Sequence, residues 1–358
     1  MFSTNLKNLE QQLKSTQAAL IVSEENRRYF TGFNASNGYL LATRDGSTFI
    51  TDGRYIEDAR KIVTEAEVLL QDNVYNQLDR LLRKYGCNEI LVEASRMTLQ
   101  DLNTYRRVLN QYTYNVSARL DTMISSLREV KTEFEVSQMQ RAQDIAEKAL
   151  LDTLQFLKPG IRERDVANEL DYRMRKYGAD GLSFDTIVVS GENSSKPHGV
   201  PGEKVIENGD FVTIDYGALY NGYHSDTTRT FAVGSVTEEM ANVYNTVLKA
   251  QMAGCEALRP GLLAKDYDGV ARKIIGDAGY GSYFTHSMGH GVGVEIHEQP
   301  FCGPNSKGIL QAGNVVSCEP GIYLEGKFGV RIEDMLLITP EGSMNFCHLP
   351  KDLQVLGA

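Results

Sequence analysis

At 358 residues the chain exceeds the length that one hydrophobic core usually serves, so two domains are expected. A net charge of −10 lacks the Lys and Arg excess that phosphate backbones require, which excludes nucleic acid as an expected partner. No run approaches the roughly 20 apolar residues that span a bilayer, and polar Met1 to Lys14 carries no apolar leader, so a cytoplasmic protein off the membrane is expected.

The first part of the chain alternates short apolar runs with helical stretches. Ala18 to Val22, Tyr39 to Thr43, Thr48 to Thr51 and Glu89 to Glu93 read as strands; Ile56 to Val63, opened by Asp52-Gly53, and Leu99 to Leu109 read as helices. This alternation predicts a mainly parallel α/β domain over residues 1–122. Its glycines form no G-x-G-x-x-G, so no dinucleotide site is implied. A linker is expected over 123–132. A long amphipathic helix from Glu133 to Leu157, stopped at Lys158-Pro159-Gly160, then opens a second domain over 133–358. The five cysteines are odd in number and lack C-x-x-C spacing, which argues against a disulfide framework or a thiolate zinc site.

The second segment holds a weak internal repeat. Lys158-Pro159-Gly160-Ile161 is echoed by Arg259-Pro260-Gly261-Leu262, 101 positions later, and each opens a helix ending at a glycine, Gly178 or Gly279. Two related halves would place a site between them.

Four segments of this domain carry chemistry. Phe211 to Ala218 is an apolar strand with one carboxylate, Asp215. Tyr223 to Phe231 reads as its antiparallel partner across a turn at Asn221-Gly222 and carries Asp226. Facing each other, these two would repel unless a cation lay between them; alternatively, one caps a turn and the other pairs with Arg229. His286 to Gly293 is glycine-rich with imidazoles at His286 and His290, and His297 follows at once; no G-K-[ST] follows, so a phosphate loop is excluded. Glu319 ends one hydrophobic strand and Glu333 lies inside another, where each needs a cation, a metal or a hydrogen-bond network, Arg331 being the bland partner for Glu333. Four carboxylates and one imidazole overfill a single catalytic zinc. They suit two hard or borderline ions about 3.5–4 Å apart.

With these residues in place the chain resembles the metallopeptidase clan of methionine aminopeptidase, aminopeptidase P and prolidase. The resemblance extends to Asn26 to Phe33 (NRRYFTGF), Thr51 to Tyr55 (TDGRY) and Leu127 to Ala142. It implies a creatinase-like α/β N-terminal domain followed by an α+β pita-bread catalytic domain. It also implies two divalent ions, Mn²⁺ first with Co²⁺, Fe²⁺ or Zn²⁺ as alternatives, on Asp215, Asp226, His290, Glu319 and Glu333, with Asp226 and Glu333 bridging. A hydroxide between the ions would attack the scissile carbonyl and Glu319 would take the proton. By the same resemblance His198 and His297 contact substrate, His286 lines the proline pocket, and Arg331 and Tyr323 stand behind the metals. The implied activity is hydrolysis of Xaa-Pro bonds in proline-containing peptides, by a homodimer. The dipeptidase (prolidase) leads and an aminopeptidase P acting on longer peptides is the alternative. Creatinase is disfavoured because all five ligands are present, and a non-catalytic peptide-binding module of the same fold is the rival of another class.

Overall fold

The apolar run at Ala18 to Ile21 becomes the centre of a six-stranded sheet in the computed structural model, which describes residues 2–357. The chain divides into two units between Arg128 and Glu129. In the first, β1 (Gln17–Ile21), β2 (Tyr39–Thr43), β3 (Gly46–Thr51), β4 (Glu67–Leu70), β5 (Glu89–Val92) and β6 (Thr113–Asn115) form a sheet of order β4-β3-β2-β1-β5-β6. Three of its pairings are parallel (β1–β5, β3–β4, β5–β6), and β1–β2 and β2–β3 are antiparallel hairpin-like neighbours.

The helices of this unit are α1 (Phe2–Gln12), α2 (Glu24–Thr31), α3 (Ile56–Ile62), α4 (Val74–Lys84), α5 (Leu99–Val108) and α6 (Arg119–Glu129). Leu78, Leu81 and Leu82 of α4 and Tyr105 of α5 share one core with Ala18, Leu20, Leu41 and Ile90. The expected linker over 123–132 is instead helical as far as Glu129. It contains neither Gly nor Pro, and Leu120, Ile124 and Arg128, four residues apart, are buried along one face.

The second unit is built twice over. Its helices are α7 (Glu133–Leu154), α8 (Glu163–Lys176), α9 (Glu238–Ala257) and α10 (Ala264–Asp277). A capping box of Thr132 and Glu135 starts α7. Its strands are β7 (Gly181–Leu182), β8 (Ile187–Ser190), β9 (Phe211–Tyr216), β10 (Ala218–Tyr220), β11 (Tyr223–His224), β12 (Thr227–Val233), β13 (Gly289–Gly291), β14 (Glu298–Cys302), β15 (Val315–Cys318), β16 (Gly321–Leu324), β17 (Phe328–Arg331), β18 (Asp334–Thr339), β19 (Gly342–Asn345) and β20 (Val355–Leu356). One main sheet runs β20-β12-β9-β8 and the other β14-β13-β15-β18-β19, so the antiparallel trio β8-β9-β12 corresponds to β13-β15-β18. Helices α8 and α10, both of 14 residues, bear the 101-residue offset of the repeat. Each stops two residues before a glycine in the left-handed region, Gly178 (φ 104°) or Gly279 (φ 88°), which lets the chain reverse without a Cβ clash.

Each half has its own core. Ile145, Ala149 and Leu150 of α7 and Val166, Leu170 and Met174 of α8 pack on Val188, Val212, Ile214 and Phe231. Val243 and Val247 of α9 and Tyr267, Ala271 and Ile275 of α10 pack on Val316, Leu336 and Ile338. Because strand side chains alternate, the face of β9 opposite Val212, Ile214 and Tyr216 carries Thr213 and Asp215, and the face of β15 opposite Val316 and Cys318 carries Ser317 and then Glu319.

A buried ion pair joins the two halves. Arg229 donates to Asp334 Oδ1 at 2.8 Å, and Lys351 donates to Asp334 Oδ2 at 2.7 Å. Burial alone would raise the Asp334 pKa, but Arg229 and Lys351 outweigh it and bring it down to about 2. The folded value lies below the ordinary 3.8, so this stabilisation is present above that pH and is lost as pH falls toward 2. Asp334→Asn should cost about 3–5 kcal/mol, since it strands a buried guanidinium. A lower urea midpoint with an unchanged slope is the expected reading.

Candidate active site

Every residue singled out in the sequence for a metal or substrate role gathers around one cavity of about 460 Å³. Asp215, Asp226, His290, Glu319, Glu333, His198, His286, His297 and Arg331 line it, and Tyr323 is bonded to two of them. The scaffold's duplication accounts for the convergence. Asp215 is the penultimate residue of β9, and Glu319 directly follows β15; Asp226 immediately precedes β12, and Glu333 immediately precedes β18. Each half thus contributes two carboxylates from equivalent places.

Two local details differ from the sequence expectation. Thr228, not Asp226, lies opposite Asp215 in the β9–β12 register. The turn at Asn221-Gly222, with φ of 46° and 77°, closes only the short β10–β11 hairpin, and Asp226 sits in the break before β12. Glu333 is likewise not inside a strand. The chain changes partner there, β17 pairing with β16 and β18 with β15, and the break points Glu333 at the site. Neither aspartate pairs with Arg229, which serves Asp334, and Arg331 binds Asp215 rather than Glu333.

His290 Nε2 lies 3.3 Å from Glu319 Oε1 and 3.5 Å from Asp226 Oδ2. One ligand atom from each of Asp226, His290 and Glu333 falls within 4.8 Å of the others. Arg331 donates to Asp215 Oδ2 at 2.7 Å, but Asp215 Oδ1 is buried and has no hydrogen-bond partner. Thr228 Oγ1 donates to Glu333 Oε2 (2.7 Å) and accepts from Arg331 Nε (3.1 Å). Ser317 Oγ donates to Glu319 Oε1 (3.1 Å) and accepts from the His290 backbone N–H (3.0 Å). Sequence reasoning missed Thr228 and Ser317. Their one signal was position, two residues from Asp226 and Glu319 on the same strand face.

The electrostatics are those of a site short of positive charge. Burial pushes the Asp226 pKa well above the carboxylate range, and Asp215 and Glu319 push it further. Burial does the same at Glu333, assisted by Asp226, Glu319 and Asp215, and it also raises Glu319. Burial lowers His290 and holds its imidazole neutral, the form that ligates metal. A lone buried carboxylate oxygen, three carboxyls in mutual repulsion and a neutral imidazole together fit divalent cations.

Behind this set runs a directional chain. Arg331 Nη1 donates to Tyr323 Oη (2.8 Å), so the tyrosine proton is left for His286 Nε2 (2.9 Å), while His286 Nδ1–H donates to the Ser287 carbonyl (2.8 Å). Burial lowers the His286 pKa below its ordinary 6.5, in keeping with this neutral tautomer, and burial foremost raises Tyr323 to about 12.

The model of metallopeptidase family M24 matches residues 137–340, and that of the creatinase/prolidase N-terminal domain matches residues 6–130. The chain belongs to metallopeptidase family M24. It is a metallo-exopeptidase whose catalytic unit has the pita-bread fold behind a creatinase-type N-terminal domain. Among its M24 relatives, a Xaa-Pro dipeptidase of Pyrococcus furiosus is 38% identical over 95% of this chain and 95% of its own. The solved structure of a Xaa-Pro dipeptidase from Bacillus anthracis matches with a TM-score of 0.95 and 37% identity, covering 99% of this chain and 100% of that one. An X-Pro aminopeptidase from Thermotoga maritima matches at 0.92 with 34% identity, covering 97% and 100%. No helix among the described residues is long and apolar enough to cross a membrane.

Stripped of divalent ions, this M24 site should show its repulsion as a pH dependence. Its carboxyls stay protonated in the folded chain where the unfolded chain has already ionised, so stability falls as pH rises above about 4.5. The melting temperature of metal-free protein should therefore drop between about pH 5 and pH 8 relative to Mn²⁺-loaded protein. A constant difference across that range would contradict the geometry.

Proposed function

We propose that this chain hydrolyses the bond between an N-terminal residue and a following proline, using two divalent ions held by Asp215, Asp226, His290, Glu319 and Glu333. The observation that carries the reading is the convergence of Asp226, Glu319 and Glu333 on His290, with Asp215 Oδ1 buried and unpaired beside them. The Xaa-Pro preference is supported by the printed activities of the relatives, which include both dipeptidases and an X-Pro aminopeptidase. Mn²⁺ is the proposed ion, as an oxygen-rich set with one imidazole favours hard or borderline cations.

When bound, the ions would supply Lewis acidity for the scissile carbonyl and lower the pKa of water at neutral pH. The remaining work falls to the chain's own side chains. Glu319, whose pKa burial raises, would accept a proton from the attacking water and pass it to the departing proline nitrogen. Ser317 holds that carboxyl by its Oε1 and so fixes which oxygen remains available. His198 and His297 are exposed at the cavity, where an imidazole N–H can support the oxygen that gains charge on the scissile carbon. Partial desolvation by the cavity wall foremost, with His290 and His198 near by, lowers the His297 pKa, which favours the neutral ring with one donor. Arg331 and Thr228 hold Asp215 and Glu333 against rotation. Phe184, Ile187, Ile296 and Phe301 give the cavity the apolar wall that a proline ring requires.

Asp226→Asn and Glu333→Gln should each lower hydrolysis of an Ala-Pro peptide by about 10³-fold or more while circular dichroism stays native. Metal content by mass spectrometry should fall with activity. Full activity in either variant would remove the substituted residue from the ligand set.

A further inference from the structure

Two residues before α7 begins, Lys131 sends its ammonium group into the second half of the fold, where Nζ lies 2.8 Å from Glu298 Oε1. Both side chains are enclosed, 1% and 6% exposed, and the chemistry described above uses neither. A buried ion pair adds little to the stability of a fold, because both charges must first be stripped of water, so its presence asks for a further reason. The lysine is held along its backbone as well. Its N–H donates to the Gly313 carbonyl (2.8 Å), and the Glu129 carbonyl, which Nζ also approaches at 3.4 Å, accepts from Asn314 Nδ2 (3.0 Å).

The glutamate stands next to His297. It opens β14 and pairs with Gly291 of β13, one residue past His290, so its place in the register sets how far His297 stands from the ligand imidazole. The two rings meet edge-on with centroids 4.2 Å apart, and the His297 ring takes no hydrogen bond among the described residues. Its position therefore comes from the backbone. That backbone, residues 293–297, is neither helix nor strand and folds around the Glu298 carboxylate instead. Glu298 Oε2 accepts from the Glu295 N–H (3.4 Å), and Gly293 lies so close that a Cβ there would collide with Oε1.

We propose that Lys131 is a positioning residue for the reaction: its ion pair holds the Glu298 carboxylate inside the loop of residues 293–297 and so keeps the His297 ring at the cavity beside His290. This rests on the role given to His297 in the reading above. With the ammonium removed, the buried carboxylate loses that partner and gains by turning toward water, which draws the start of β14 and His297 with it. His290 is held from the other side, by the pairing of β13 with β15 and by its N–H on Ser317, so the ligand set stays in place. The loss then falls on the step in which the carbonyl oxygen gains charge, and it reads in kcat rather than in KM.

The test is a double-mutant cycle on Mn²⁺-loaded protein with an Ala-Pro peptide, joining Lys131→Met to His297→Ala. Lys131→Met alone should lower kcat about tenfold or more, with KM and Mn²⁺ content unchanged. In the His297→Ala background the same change should lower kcat by less than about twofold, since the side chain it positions is gone. Lys131→Arg keeps the charge but moves the donor; it should lose less kcat than Lys131→Met, and it supplies the same comparison should Lys131→Met not fold. Equal losses of kcat in the two backgrounds overturn the proposal, because a lysine that only stabilised the fold would act whether or not His297 is present. Full kcat in Lys131→Met overturns it too, as does a loss that follows Mn²⁺ content. No hydrolysis of the peptide by the wild type overturns the Xaa-Pro reading itself, a result distinct from equal losses in the two backgrounds.

Discussion

Three carboxylates, Asp226 and Glu333 buried and Glu319 partly so, press on one neutral imidazole with a single guanidinium near by, and the surrounding structure is organised around that strain. In a medium of low polarity such a set is unfavourable until positive charge enters. Arg331 does not relieve it, because its bonds are spent on Asp215, Tyr323, Thr228 and Pro197. What it does is orient. Together with Thr228 and Ser317 it fixes the carboxylates that would otherwise turn away from one another, so the site keeps its shape while it is short of charge.

Duplication solves the placement problem with little new backbone. Two helices packed on one face of a three-strand unit leave the opposite face free, and strand alternation delivers a polar residue there at every second position. Both halves end or break a strand at the point where the carboxylate must leave the sheet plane, at Asp226 before β12 and at Glu333 before β18. The asymmetry lies in what each half adds. The second half brings His290 on β13, whereas β8, its counterpart, is Ile187-Val188-Val189-Ser190 and carries no ligand.

Much of this was legible in the chain, for reasons that differ by element. The strands at Tyr39 to Thr43 and Glu89 to Val92 stand out because apolar runs flanked by turn residues have few alternatives. The 101-residue echo survives as two equal helices because Pro-Gly and a left-handed glycine are backbone requirements. The register of Asp215 was not legible. A tight Asn-Gly turn suggests one continuous hairpin, but the chain spends Ala218 to Asp226 on a second, smaller sheet before returning. The helical character of Arg119 to Glu129 was hidden by the change of domain, where a linker is the usual expectation. Thr228 and Ser317 were invisible because hydroxyls are common on strands and nothing in their identity marks a hydrogen-bond hub.

The division of the ligands between the halves has a mechanical meaning. Asp215 and Asp226 stand on or beside strands of one half, and His290, Glu319 and Glu333 on or beside strands of the other. The repulsion among them acts within each half, Asp215 on Asp226 and Glu319 on Glu333, and also across the seam, between Asp226 and both glutamates. A cation seated there would act as a rivet across that seam. Its removal would loosen a joint that the Arg229–Asp334 pair still holds.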